Sequence, residues 1–192
     1  MSYKNEHGPP DRSLVNRVLH GDKCAFADIV ENTEGLIAQI VFKMVNNPED
    51  RKDIVQDIYL RAYEGLKDFR FHSKLSTWIG RIAYNACINH LEKKKLLPGS
   101  FEDPKYEERE TSGIESEALF SKKELETILA TAIEHLPPVY KTLITLYHQE
   151  ELTYIEIAQI TGLPQGTVKS YLFRARKQLK DHLLNQYKKE EL

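Results

Sequence analysis

A cationic stretch near the carboxy terminus carries the clearest chemical signal in the chain. Between Gln165 and Lys180 stand Lys169, Arg174, Arg176, Lys177 and Lys180, with no acidic residue. Val168, Leu172 and Leu179 mark the buried side of a helix there, leaving Lys169, Ser170, Arg174 and Lys177 near the exposed side, within reach of phosphates and base edges. The same pattern also fits an amphipathic hairpin with a solvated basic face. No catalytic chemistry competes with this reading: no nucleophile stands with a base, and Cys24 and Cys87 lie far apart, without His or Cys at metal-ligand spacing. We expect no enzyme activity, no metal and no cofactor, and read both cysteines as buried, reduced thiols.

The segments that must position these side chains read as helices. Thr153-Tyr154-Ile155-Glu156 has the spacing of a capping box, which starts a helix bearing Ile155, Ala158 and Ile160. Gly162 can take the left-handed turn that ends it, and a second helix opens near Gln165, making a helix-turn-helix. Pro137-Pro138 separates a helix ending near Leu136 from another over Val139–His148.

Upstream, apolar residues keep helical spacing from Arg12 to Lys95, through Leu14, Val15, Val18 and Leu19, then Phe26, Ile29 and Val30, then Ile37, Ile40, Val41 and Met44. Gly21 can end the first helix, Asp22 can cap the next, and Asn47-Pro48-Glu49 reads as a cap followed by proline. A third helix runs from about Glu49 to Lys67. The aromatic stretch from Asp68 to Lys74 follows, and a fourth helix starts at Ser76 or Thr77 and reaches Lys95. From Leu96 to about Ser121 the chain is polar, acidic and broken by Pro98, Gly99, Pro104 and Gly113, the composition of a linker.

The predicted class is all-α: two small helical domains, residues 10–95 and 122–192, joined by a flexible acidic linker over 96–121, the second domain a helix-turn-helix. The 192 residues, 41% hydrophobic, suffice for one moderate core or two small ones. A net charge of -2 argues against wholesale coating of nucleic acid, although the acids crowd Glu102–Glu126 and the cations Gln165–Lys180. No apolar run approaches the roughly 20 residues that cross a bilayer, and Met1–Pro10 is polar, so we expect a cytoplasmic protein without membrane insertion.

Leu136-Pro137-Pro138, Leu152 to Ala158, Gly166-Thr167-Val168-Lys169-Ser170 and Arg174-Ala175-Arg176 resemble region four of bacterial sigma factors. Asp53 to Asp57, Leu60-Arg61-Ala62, Phe69, Ser76 to Ile79 and Arg81 to Asn85 resemble region two of the same family, in order and spacing. Together they cover about Leu14 to Leu184 and resemble the small extracytoplasmic-function group. The resemblance implies a subunit that binds core RNA polymerase, directs it to promoter DNA and assists strand opening. By that likeness Lys169, Ser170, Tyr171, Phe173 and Arg174 meet the upstream (−35) element, although Tyr171 replaces the usual arginine. Arg70, Lys74, Trp78, Arg81 and Asn85 meet the downstream (−10) element, and Asp53, Gln56, Asp57 and Arg61 dock on polymerase.

Read without the family, the polar residues of the third helix form a solvated face, and Phe69, Phe71 and Trp78 are core residues more often than base stackers. After Asn85 the family's usual aspartate and arginine are replaced by Asn89 and Glu92, and Lys93, Lys94 and Lys95 restore positive charge. The linker is either a solvated tether or a strand that enters the polymerase cleft. Regulation is expected from outside, by an anti-sigma factor that buries both domains. A conventional helix-turn-helix regulator, and an interaction protein that has lost promoter recognition, are the competing readings.

Overall fold

The computed structural model describes residues 9–95 and 122–190, with side chains for 11–94 and 125–185; the predicted linker lies outside the described residues. Eight α-helices follow one another with no strand among the described residues: α1 (Pro9–Leu19), α2 (Lys23–Met44), α3 (Pro48–Gly65), α4 (Leu75–Lys95), α5 (Lys122–Glu134), α6 (Pro138–His148), α7 (Tyr154–Thr161) and α8 (Gln165–Glu190). The predicted all-α architecture of two helical domains is what the chain adopts.

Local signals set most boundaries. The Asp22 carboxylate accepts from the amides of Cys24 and Ala25, and the Asn47 side chain from those of Glu49 and Asp50, so both helices begin with orphan donors satisfied. α4 begins differently. It starts at Leu75, ahead of the expected Ser76 or Thr77, because the Leu75 amide donates to Asp11 of α1 at 3.0 Å. That cap comes from 64 positions away in sequence. A 3₁₀ turn, Leu66–Asp68, takes up the end of the predicted third helix.

In the first half, α2 and α3 pack on α4, with Ile29, Ile37, Ile40, Ile58 and Ile79 wholly buried. Each such side chain stabilises the fold by about 1.5–3 kcal/mol relative to exposure. Thr33 is buried among them, its hydroxyl donating to the Ile29 carbonyl at 2.7 Å and bonding Tyr59 on α3 at 3.1 Å. In the second half, α6, α7 and α8 bury Leu143, Leu146, Ile157, Val168 and Leu172.

The two halves are not held apart. α2 packs on α6 and α4 on α7, so one apolar cluster runs through both. Gly80 on α4 makes this approach possible, since a Cβ there would lie 3.2 Å from Ile160 Cγ1 on α7. Lys43 on α2 bonds Glu134 on α5, and Glu134 also pairs with the buried Lys141 at 3.0 Å.

The cysteines correct one expectation. Cys87 is buried in α4, and burial pushes its thiol up to about 12, whereas Cys24 is exposed because it falls in the capped first turn of α2. A thiol reagent in mildly alkaline buffer is expected to modify Cys24 alone in the folded chain and both cysteines in denaturant. Mass spectrometry of the native, denatured and Cys24→Ser proteins checks this.

Candidate nucleic-acid interface

The helix-turn-helix is built by its caps. Thr153 accepts from the Glu156 amide while the Glu156 carboxylate accepts from the Thr153 amide at 2.9 Å, the reciprocal pair expected from the sequence. Gly162 ends α7 with φ of 74°, a left-handed conformation costly for residues with a Cβ. α7 buries Ile157 and Ile160 and leaves Ile155 exposed; α8 buries Val168, Leu172 and Ala175.

The opposite side of α8 gathers Lys169, Ser170, Phe173 and Arg174 around one open surface depression. Phe173 is 68% exposed, an unusual state for a phenyl ring and one suited to a thymine methyl or a sugar face. Lys169 and Arg174 form no ion pair among the described residues. Tyr171 does not join this face. It is half-buried, with its ring edge-on to Tyr140 at 5.5 Å, and it raises the hydroxyl of Tyr84 on α4, which burial chiefly pushes up to about 12.

Beside the depression lies a second cationic cluster that sequence reasoning missed. Tyr147 and Tyr154 stack at 5.0 Å, Arg176 lies over Tyr147 at 5.2 Å and Lys169 over Tyr154 at 5.5 Å. Arg176 donates to His148 Nε2, and burial first, then Arg176, lower the His148 pKa, keeping the ring neutral near pH 7. The available signal was the seven-residue spacing of Lys169 and Arg176, two turns along one helix face.

In the first half the aromatic segment is only partly available. Phe69 is 6% exposed and packs against Phe71 at 4.7 Å and Trp78 at 5.1 Å; Trp78 is half-buried and its indole lies against Gly65. Phe71 adopts a φ of 57°, uncommon for a bulky residue, with the Arg12 guanidinium 5.0 Å over its ring. Arg70, His72, Trp78 and Arg81 line a pocket of about 260 Å³, to which Gln159 of α7 also contributes. Asn85 lies one turn beyond Arg81, and both are exposed. Lys74 is engaged by Glu156 at 2.9 Å. Burial alone would raise the Glu156 carboxyl, but hydrogen bonds from Lys74 and from Thr153 outweigh it and hold it below the usual carboxylate range. Lys94 pairs with Asp50 at 2.8 Å, so it is not free to supply the positive charge expected there.

On α3, Asp53, Gln56, Asp57 and Arg61 share one face, exposed except for the half-buried Asp57, which is ion-paired with Arg61 at 2.8 Å. Leu60, 58% exposed, and Tyr63 lie on the same helix, apolar residues that the polar pattern obscured.

A helical chain ending in a basic helix-turn-helix is of the DNA-binding class. Comparison with known proteins narrows this. The family description "Sigma-70 region 2" matches residues 29–96 and "Sigma-70, region 4" matches 126–179. The chain is 34% identical over 181 residues to the "ECF RNA polymerase sigma factor SigW" of Bacillus subtilis, covering 90% of this chain and 96% of that protein. It is 36% identical over 183 residues to the "ECF RNA polymerase sigma-E factor" of Haemophilus influenzae, covering 90% and 95%. Its fold is similar to that of CnrH, solved in complex with the cytosolic domain of CnrY, with a TM-score of 0.63 at 22% identity over 91% of this chain and 97% of that one. The chain belongs to the extracytoplasmic-function RNA polymerase sigma factors, promoter-specific factors of transcription initiation.

Removing the cap should be felt in the whole second half. Thr153→Ala is expected to cost about 1 kcal/mol, and Glu156→Gln, which keeps the acceptor at the third helical position, less. Urea denaturation of both variants measures the difference.

Proposed function

We propose that three surfaces of this chain divide the work of initiation: the Lys169, Ser170, Phe173 and Arg174 face reads the upstream (−35) element, the Arg70, Lys74, Trp78, Arg81 and Asn85 surface holds the melted downstream (−10) strand, and the α3 stripe docks on core polymerase. The observation that carries this reading is the α8 face, where two cations without ion pairs among the described residues, a hydroxyl and an exposed ring converge. Tyr171 is left out of the reading set, because its ring packs inward on Tyr140. Residues 10–95 form the polymerase-docking and strand-holding domain, 122–192 the upstream-reading domain, and 96–121 the segment between them.

The chain performs no chemistry of its own; polymerase supplies the catalysis. It works in the cytoplasm, with which the absence of a membrane-crossing helix among the described residues agrees. Its activity is held in check by an anti-sigma factor. The solved relatives CnrH, with CnrY, and the Bartonella quintana RpoE, with NepR, are each bound to such a partner or to a cytosolic domain in their structures.

Reconstitution with core polymerase tests the whole reading: anisotropy with a probe carrying both promoter elements is expected to show tight binding only for the mixture. Tight, spacing-insensitive binding by the chain alone would favour a conventional helix-turn-helix regulator. Within the holoenzyme, Arg174→Ala should cost about 1–3 kcal/mol on the matched upstream element and little on a scrambled one, while Lys169→Ala weakens both and flattens the salt slope. Charge reversal at Asp53 or Asp57 is expected to weaken competition for core polymerase while circular dichroism stays unchanged.

A further inference from the structure

We propose that Asp11 and Arg12, in the first turns of α1, are positioning residues for the downstream strand: they hold the aromatic segment 69–74 in the shape that the strand-holding surface requires. The inference rests on the assignment of that surface made above.

α1 is itself anchored, since Val15 and Val18 are buried and Arg17 is ion-paired with Asp22 at 2.7 Å. Asp11 stands one helical turn before Val15, on the stripe that faces the core. From there its carboxylate accepts from the Leu75 amide at 3.0 Å. Leu75 is the first residue of α4 and follows the aromatic segment directly. The acid therefore fixes the point at which the segment enters α4.

Arg12 grips the middle of the same segment. Its guanidinium lies 5.0 Å over the Phe71 ring, which packs on Phe69 at 4.7 Å, and Phe69 meets Trp78 at 5.1 Å. With φ of 57°, Phe71 holds a left-handed conformation that a bulky residue keeps only where its surroundings impose it. Backbone bonds close the segment at its ends, from the Phe69 amide to the Leu66 carbonyl and from the Trp78 amide to the Lys74 carbonyl, each at 3.1 Å. The hold on Phe71 comes from the rings and the guanidinium. Arg70 and His72, on either side of it in sequence, both line the pocket, and Phe71 does not. A residue of α1 thus acts on the pocket through a ring that lies outside it. Arg12 is exposed, so direct contact with a phosphate is the rival role.

The first readout uses the full-length free chain, in which Trp78 is the single tryptophan. Arg12→Ala and Asp11→Ala should each make its fluorescence easier to quench with acrylamide, and Asp11→Asn, which keeps an acceptor, should restore the wild-type value. Phe71→Gly adopts the left-handed backbone without a ring, so Arg12→Ala added to it should change nothing more. Unchanged quenching in the single variants, or a further change in the double one, overturns the proposal.

The second readout is anisotropy of the holoenzyme on a fork probe, a double-stranded upstream element joined to a single-stranded downstream one. Both alanine variants should bind it about tenfold more weakly, if the loosened segment holds the binding shape in one molecule of ten. Binding to an upstream duplex alone and competition for core polymerase should stay at wild type; equal losses there would mean a general loss of fold and sink the idea. The salt slope on the fork should also be unchanged for Arg12→Ala, because a lost phosphate contact flattens it by about 0.7 and would make Arg12 a direct ligand instead. If quenching changes as expected but Arg70→Ala and Arg81→Ala bind the fork like wild type, α1 orders the segment and the strand-holding assignment falls. If those two variants weaken fork binding while the α1 variants do not, the assignment stands and the positioning role falls.

Discussion

The described structure is organised around one helix, α4, that packs against helices of both halves. α4 meets α2, α3 and α7, and its buried positions include the small residues Gly80, Ala83, Ala86 and Cys87 beside Ile79. Small side chains let helix backbones approach closely, and at Gly80 the missing Cβ is filled by Ile160 from the other half. The exposed residues of the same helix, Arg81 and Asn85, are consequently held by a backbone that the core has fixed from below. Rigid presentation of that kind is what a nucleic-acid surface needs.

The cations divide into two populations. Lys43, Lys94 and Lys141 are paired with carboxylates of other helices and join helices rather than face a polyanion, while Lys74, ahead of α4, is held by Glu156 of α7. Lys169 and Arg174 form no such pair among the described residues, and Arg176 meets the ring of Tyr147 and the imidazole of His148. The net charge of -2 hides this division, because affinity for phosphate depends on which cations are free and not on their sum.

What could be read from the sequence follows the range of the interactions involved. The capping box at Thr153 and Glu156, the left-handed Gly162 and the side-chain caps at Asp22 and Asn47 are local, and each was legible as a short pattern. The start of α4 was not, because its first amide is satisfied by Asp11 from another helix. The same limit affected the site. Lys169, Ser170, Phe173 and Arg174 share a face because one helix carries them, whereas Tyr171 turns inward to reach Tyr140 on α6. Cys24 read as buried by residue type alone, yet its place in the capped first turn of α2 leaves it in solvent. The packing of the two halves depends on Ile160 meeting Gly80, a contact between residues that no periodicity connects.

Glu156 belongs at once to the local and the long-range structure. Its carboxylate accepts from the Thr153 amide and hydroxyl within the cap and from Lys74 across the halves. An inherited change at this position to a residue without a side-chain acceptor therefore alters two properties together, the stability of the helix-turn-helix and the hold on the first half. Lys74 has no role in the cap. Divergence among descendants of this chain could retune the cross-domain hold through the lysine without weakening the fold, while the glutamate is constrained twice and has much less room to drift.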